Sequence, residues 1–178
     1  MRTFIAALLL VGTLAVAATE TDPELREILR AAANEAPSFT DRFHAEVWLT
    51  DMSQRLARQV TDPEERIEIL TLVHMEASRV ELPPELILAV IEVESNFDRY
   101  AISVAGARGL MQIMPFWKDE IGRPGDNLLH TDTNLRYGMR YLRKALNRGS
   151  VGYYNAGIHA KRLPKAAKKY ASQVASRY

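Results

Sequence analysis

Glu92 and Glu94 stand two residues apart near the end of the apolar run LILAVIEVESNF, residues 86–97. Two neighbouring carboxylates are the usual equipment for breaking a glycosidic bond, one as acid and the other as base or nucleophile. A helical projection separates them. With about 100° per residue and Glu85 at zero, Ala89, Glu92 and Asn96 fall within roughly 40° of it, while Glu94 falls at about 180°. Ile87, Val90 and Ile91 surround Glu94 on that far side, from about 140° to 240°. Glu92 therefore belongs to a polar stripe, and Glu94 is set into the apolar face.

Burial disfavours the charged form of a carboxyl and raises its pKa. A carboxylic acid kept protonated near neutrality suits general-acid catalysis. The same position also suits a structural glutamate held by a hydrogen bond or paired with an arginine such as Arg99 or Arg108. Helix geometry leaves both readings open. Asp98 shares the face of Glu94 only if the helix continues past Asn96, and a turn residue after the helix is the plainer reading.

The elements that must position these groups read as helices. Asp22-Pro23 and Asp62-Pro63 combine an N-cap with proline at the first helical position. The first predicts a helix to about Glu35. The second predicts one with Ile67, Leu70, Val73 and Ala77 on its inner face. Between them a helix from near Thr40 is expected to carry Phe43, Val47, Trp48, Met52 and Leu56. Pro83-Pro84 opens the glutamate helix. ISVAGARGLMQIMP, residues 102–115, reads as a tight loop entering a short helix. Thr133 to Asn147 fits a helix with Leu135, Met139, Leu142 and Leu146 inward, and another begins near Pro164. No stretch alternates with period two, so few or no strands are expected.

Composition narrows the classes. The 178 residues suffice for one compact domain, and the balance of 47% hydrophobic to 25% charged residues is that of a globular protein. A net charge of +1 argues against a nucleic-acid binder. There is no cysteine, hence no disulfide, no thiol nucleophile and no lipid-attachment cysteine. His44, His74, His130 and His159 lack paired ligand spacing, so no metal is expected. No glycine-rich phosphate loop is present either, and no cofactor is expected. Arg2, the apolar run over residues 4–16 and the small-x-small Ala15-Val16-Ala17 read as a cleaved signal peptide. The expected product is exported, to the periplasm or cell wall, without stable membrane insertion. The expected divisions are 1–17 signal peptide, 18–60 N-terminal helical extension and 61–178 catalytic domain.

Glu94-Ser95, then GARGLMQIMP (residues 106–115), then YNAG (residues 154–157) together resemble the soluble lytic transglycosylases, relatives of goose-type lysozyme. The resemblance implies a mainly α, lysozyme-like helical domain with a groove for peptidoglycan glycan strands. It implies non-hydrolytic cleavage of the β-1,4 bond between N-acetylmuramic acid and N-acetylglucosamine, leaving a 1,6-anhydro end. Carried over by position, Glu94 is the acid and then the base. Ser103, Gln112, Met114, Tyr154 and Asn155 are substrate contacts, with the Tyr154 hydroxyl near the acid or the substrate's acetamido group. No second catalytic carboxylate is expected; the substrate's own N-acetyl group takes that role. A lysozyme-type hydrolase and a non-catalytic cell-wall-binding or scaffold protein are the alternatives.

Two departures accompany the resemblance. The segment between Tyr141-Leu142 and Tyr154 is shorter than the family's, which implies a displaced Tyr154 or a shorter groove wall. Ala166 stands where some relatives carry a glutamate. Lys161, Arg162, Lys165, Lys168 and Lys169 make the tail basic, which reads as a solvated helix face or, alternatively, as attraction to anionic cell-wall polymers.

Overall fold

Aspartate caps and prolines set several helix starts. In a computed structural model describing residues 23–178, α1 (Pro23–Glu35) begins on a proline. Asp41 caps α2 (Arg42–Leu56), accepting the His44 N–H at 2.8 Å. Asp62 caps α3 (Pro63–Arg79), accepting from the Glu64 and Glu65 backbones at 2.9 and 3.0 Å. α4 (Pro84–Ser95) starts behind Pro83 and α8 (Lys165–Ala175) behind Pro164. Between them lie α5 (Trp117–Ile121), α6 (Thr131–Asn147) and α7 (Gly152–Ala156). The mainly helical class holds: among the described residues there is no strand, only two isolated bridges, Ile102 with Arg108 and Arg108 with Ile113. The expected signal segment 1–17 and residues 18–22 lie outside the described residues.

One core runs through the described helices. Ile69, Leu70 and Val73 of α3, Ile87, Val90 and Ile91 of α4, and Leu135, Met139 and Leu142 of α6 are fully buried in a single cluster. Leu29 of α1 and Leu49 of α2 belong to it, as does Val174 of α8. The α3 and α6 stripes follow the sequence reading, apart from Leu146, which is only partly buried.

α2 departs from expectation. Phe43 and Val47 are exposed, at 74% and 52%, and the inner face is Ala45, Leu49, Met52 and Leu56. The helix carries two apolar stripes, and the one with the small Ala45 and the unbranched Met52 packs against α1 and α3. Trp48 sits between the stripes, edge-on to His74 at 5.1 Å, and donates its indole N–H to Glu85 Oε1 at 2.7 Å.

Candidate active site

The last turn of α4 carries Glu94, and the chain then reverses sharply. Asn96 takes a left-handed conformation at φ 49° while donating its N–H to the Glu92 carbonyl, and Phe97 follows at φ 66°. Left-handed backbone is tolerated by asparagine but costly for an aromatic residue. Phe97 is held there by burial at 4% exposure. This turn ends the helix, so Asp98 never joins the face of Glu94; its carboxylate accepts the Tyr100 N–H at 2.8 Å. Glu92 points the other way and pairs with Arg177 at 3.1 Å. The two glutamates thus stand on different faces, as the projection requires.

The glycine-rich loop closes over this helix end. Ser95 Oγ donates to the Leu110 carbonyl at 2.8 Å, tying α4 to the loop. The Ser103 hydroxyl accepts from the Ala107 N–H at 3.0 Å. Gln112, at φ 48°, donates its amide to the Ala101 and Gly109 carbonyls at 3.2 and 3.0 Å. Beneath them lies Asn134 of α6, 1% exposed. It accepts the Met111 N–H at 2.8 Å and donates to the carbonyls of Arg108 and Leu128, both at 2.7 Å. Gly109 permits this: its φ is +72°, and a Cβ there would lie 2.4 Å from the Asn134 amide nitrogen. Gly138 likewise leaves room for the Met111 side chain, whose sulfur a Cβ would meet at 2.2 Å.

A groove of about 440 Å³ opens between these pieces, and Glu94, Ser103, Gln112, Met114, Tyr154 and Asn155 all line it. Apart from Tyr154, sequence reasoning missed its aromatic wall. Trp117 meets Tyr141 at 4.5 Å between ring centroids, Tyr141 meets Tyr154 at 4.9 Å, and Tyr154 stacks on Tyr170 at 6.5 Å. Spaced aromatics following the loop motif were the available signal. Despite the short segment before it, Tyr154 lies in this wall, because α6 ends at Asn147 and Gly149 turns the chain at φ 94° directly into α7. Its hydroxyl, however, donates to the Met111 carbonyl at 2.7 Å rather than to the acid.

Burial pushes the Glu94 carboxyl up to about 7, with the Tyr170 hydroxyl pulling the other way. The Tyr170 hydroxyl is buried and forms no well-made hydrogen bond of its own, so its contact with Glu94 is a loose one. Burial raises Tyr154 and Tyr170 as well, and the charge of Glu94 adds to it, so both hydroxyls stay neutral. The arginine-paired reading fails: Arg99 is engaged with Glu68 at 3.1 Å and Glu65 at 3.7 Å, and among the described residues Glu94 has no ion pair. Nor, among them, could any group of three or more histidines and carboxylates hold a metal. A larger hollow, about 760 Å³, lies between α1, α3 and the start of α6, away from Glu94 and the aromatic wall. The chemistry concentrates in the smaller groove.

A half-buried acid, ionising near neutrality, faces an aromatic wall in an open groove of a helical domain. Among the described residues, Glu94 is the one carboxyl group lining that groove. The Transglycosylase SLT domain model matches residues 71–175, more than half of the chain, and the chain belongs to that family. A stretch of 84 residues is 50% identical to the membrane-bound lytic murein transglycosylase C of Actinobacillus pleuropneumoniae serotype 5b, covering 42% of this chain and 23% of that one. The protein of the same name from Haemophilus influenzae strain PittEE is 37% identical over 82 residues, covering 41% and 23%. The chain thus spans about a quarter of the length of these curated relatives. Among solved structures, the 70 kDa soluble lytic transglycosylase of Escherichia coli matches 82% of this chain and 27% of that one, at 22% identity and a TM-score of 0.39.

Proposed function

We propose that this protein is a peptidoglycan lytic transglycosylase, cleaving the bond between N-acetylmuramic acid and N-acetylglucosamine without water. Glu94 is the catalytic acid and then the base. The observation that carries this reading is a single half-buried carboxyl, raised to about 7, in a groove with no other carboxylate in its lining among the described residues. In the first step Glu94 donates its proton to the glycosidic oxygen as the bond from that oxygen to C1 breaks. In the second, the C6 hydroxyl oxygen of the muramyl residue bonds to C1 and its proton returns to Glu94. The 1,6-anhydro product balances without water. A carboxyl poised near neutrality can serve both steps. Most glycosidases need a second carboxylate; here the substrate's N-acetyl group stabilises the developing charge.

Ser103, Gln112, Met114 and Asn155 are the proposed substrate contacts. Gln112 offers its carbonyl oxygen, since its nitrogen is committed to the loop. Tyr154 acts as wall and loop anchor, contacting sugar through its ring. The site works outside the cytoplasm, following the apolar N-terminal run, and among the described residues no helix is long and apolar enough to cross a membrane. In this reading residues 61–178 are the catalytic unit, and the helices of residues 23–60 are an extension that braces it. Mass spectrometry of digested peptidoglycan tests the reading: anhydro-muramyl ends are expected, lost in a folded Glu94→Gln protein. Reducing ends with added water would make it a hydrolase, and wall binding without turnover a scaffold.

A further inference from the structure

Glu92 takes no part in the chemistry of the groove, yet it ties α4 to α8. Its carboxylate pairs with Arg177 at 3.1 Å, across 85 positions of the chain. Arg177 lies in the turn that closes α8. Its N–H donates to the Val174 carbonyl at 3.1 Å, and its guanidinium donates to the Gln173 carbonyl at 3.2 Å. Carbonyls at a helix end lack partners within the helix, so the arginine is oriented by its own helix as it reaches α4. The pair lines a hollow of about 200 Å³ on that side of α4. The other charged side chains there are engaged, Arg55 with Asp51 at 3.0 Å and Glu85 with the Trp48 indole at 2.7 Å.

The same helix meets the acid. Tyr170 and Val174, one turn apart on α8, are buried at 5% and 1% exposure, and α8 packs on α4. Arg177 follows Tyr170 by seven residues, roughly 10 Å along a helix. Their counterparts on α4, Glu94 and Glu92, are two residues and about 200° apart. α8 therefore lies across the end of α4, with the Tyr170 hydroxyl at Glu94 on one side and Arg177 at Glu92 on the other. The titratable groups coupled to Glu94 are Tyr141 of α6, Tyr154 of α7 and Tyr170 of α8. No charged side chain acts on it, including from α3, which also packs on α4. Apolar packing is not directional and leaves the register of two helices loosely set. A hydroxyl bond weakens steeply as its geometry drifts.

We propose that Glu92 and Arg177 are positioning residues: their pair sets the register of α8 on α4 and so holds the Tyr170 hydroxyl at the catalytic carboxyl. Neither lines the groove. The proposal rests on the reading of Glu94 as the acid. The test follows the Glu94 carboxyl by NMR in the full chain labelled with carboxyl-13C glutamate, titrated at 0.15 M salt, roughly an 8 Å screening length. Through-space charge alone moves the two variants apart: Glu92→Ala lowers the Glu94 pKa and Arg177→Ala raises it. Lost register withdraws the hydroxyl in both, so both are expected to titrate higher, by up to about one pH unit. Arg177→Lys keeps the charge but loses the planar fork. It should also titrate higher, and it stands in should the alanine variants misfold. In the Tyr170→Phe background the shared upward shift vanishes. Shifts of opposite sign, no shift, or an upward shift that survives Tyr170→Phe would overturn the proposal. The titration needs no turnover. If the pattern holds in a protein that cleaves no glycan, the cleavage reading fails and the positioning stands. If glycan is cleaved while the Glu94 titration ignores both substitutions, the positioning fails alone.

Discussion

At the scale of single residues, the groove depends on one proton. The folded-state pKa of Glu94, about 7, lies above its ordinary 4.5, so the folded chain holds this proton more tightly than the unfolded chain. Ionising Glu94 therefore costs stability. The cost is absent below about pH 4.5, grows between 4.5 and 7, and is complete above. Glu94→Gln should match the wild type in urea denaturation near pH 4.5 and exceed it by up to about 3 kcal/mol at pH 8. An equal difference at both pH values would sink the assignment. Tyr170→Phe removes the hydroxyl that pulls this pKa down. Its kcat/KM profile should keep its shape while the limb set by Glu94 moves to higher pH; a limb that stays put means the hydroxyl has no hold on the acid. Glu94 was legible because an acid within a period-3.6 apolar face is visible in one dimension. Tyr170 was not, since its partner lies far away in sequence and only the docking of α8 brings them together.

At the scale of elements, the loop over the end of α4 is held from below by α6. Asn134 bonds three backbone groups at once. Asn134→Leu keeps the branching of the side chain but leaves the Met111 N–H and the Leu128 carbonyl without this partner, and the Arg108 carbonyl with the Ile113 N–H alone, at 2.9 Å. A loss of about 2–4 kcal/mol is expected in chemical denaturation, with a raised KM where folding survives. A change under 1 kcal/mol would mean that the loop supports itself. Helix starts were readable because Asp-Pro and Pro-Pro act locally. The role of Asn134 was hidden inside a helix pattern, since its partners come from other segments. α2 marks the same limit: periodicity found its apolar stripes, but only the neighbours α1 and α3 decide that Leu49 turns inward and Phe43 outward.

At the scale of the molecule, the question is whether residues 23–60 and the groove-bearing remainder unfold together. Leu49 of α2 and Leu29 of α1 lie in the same buried cluster as Ile69 and Leu142, and Trp48 bonds Glu85 on the helix that carries the acid. Removing α1 and α2 would strip that cover from α3, so the two halves are expected to share one cooperative transition. The chain's two tryptophans make this measurable, since Trp48 reports on the extension and Trp117 on the groove. Trp117→Phe leaves Trp48 as the only fluorophore, and Trp48→Phe leaves Trp117. In each of these backgrounds Leu49→Ala should lower stability by about 2–4 kcal/mol, because the side chain is fully buried. The decisive result is coincidence. If the extension braces the groove, the two reporters shift by the same amount when Leu49 is truncated. If Trp48 responds alone and Trp117 keeps its midpoint, α1 and α2 are a separate unit and the core is not continuous in energy.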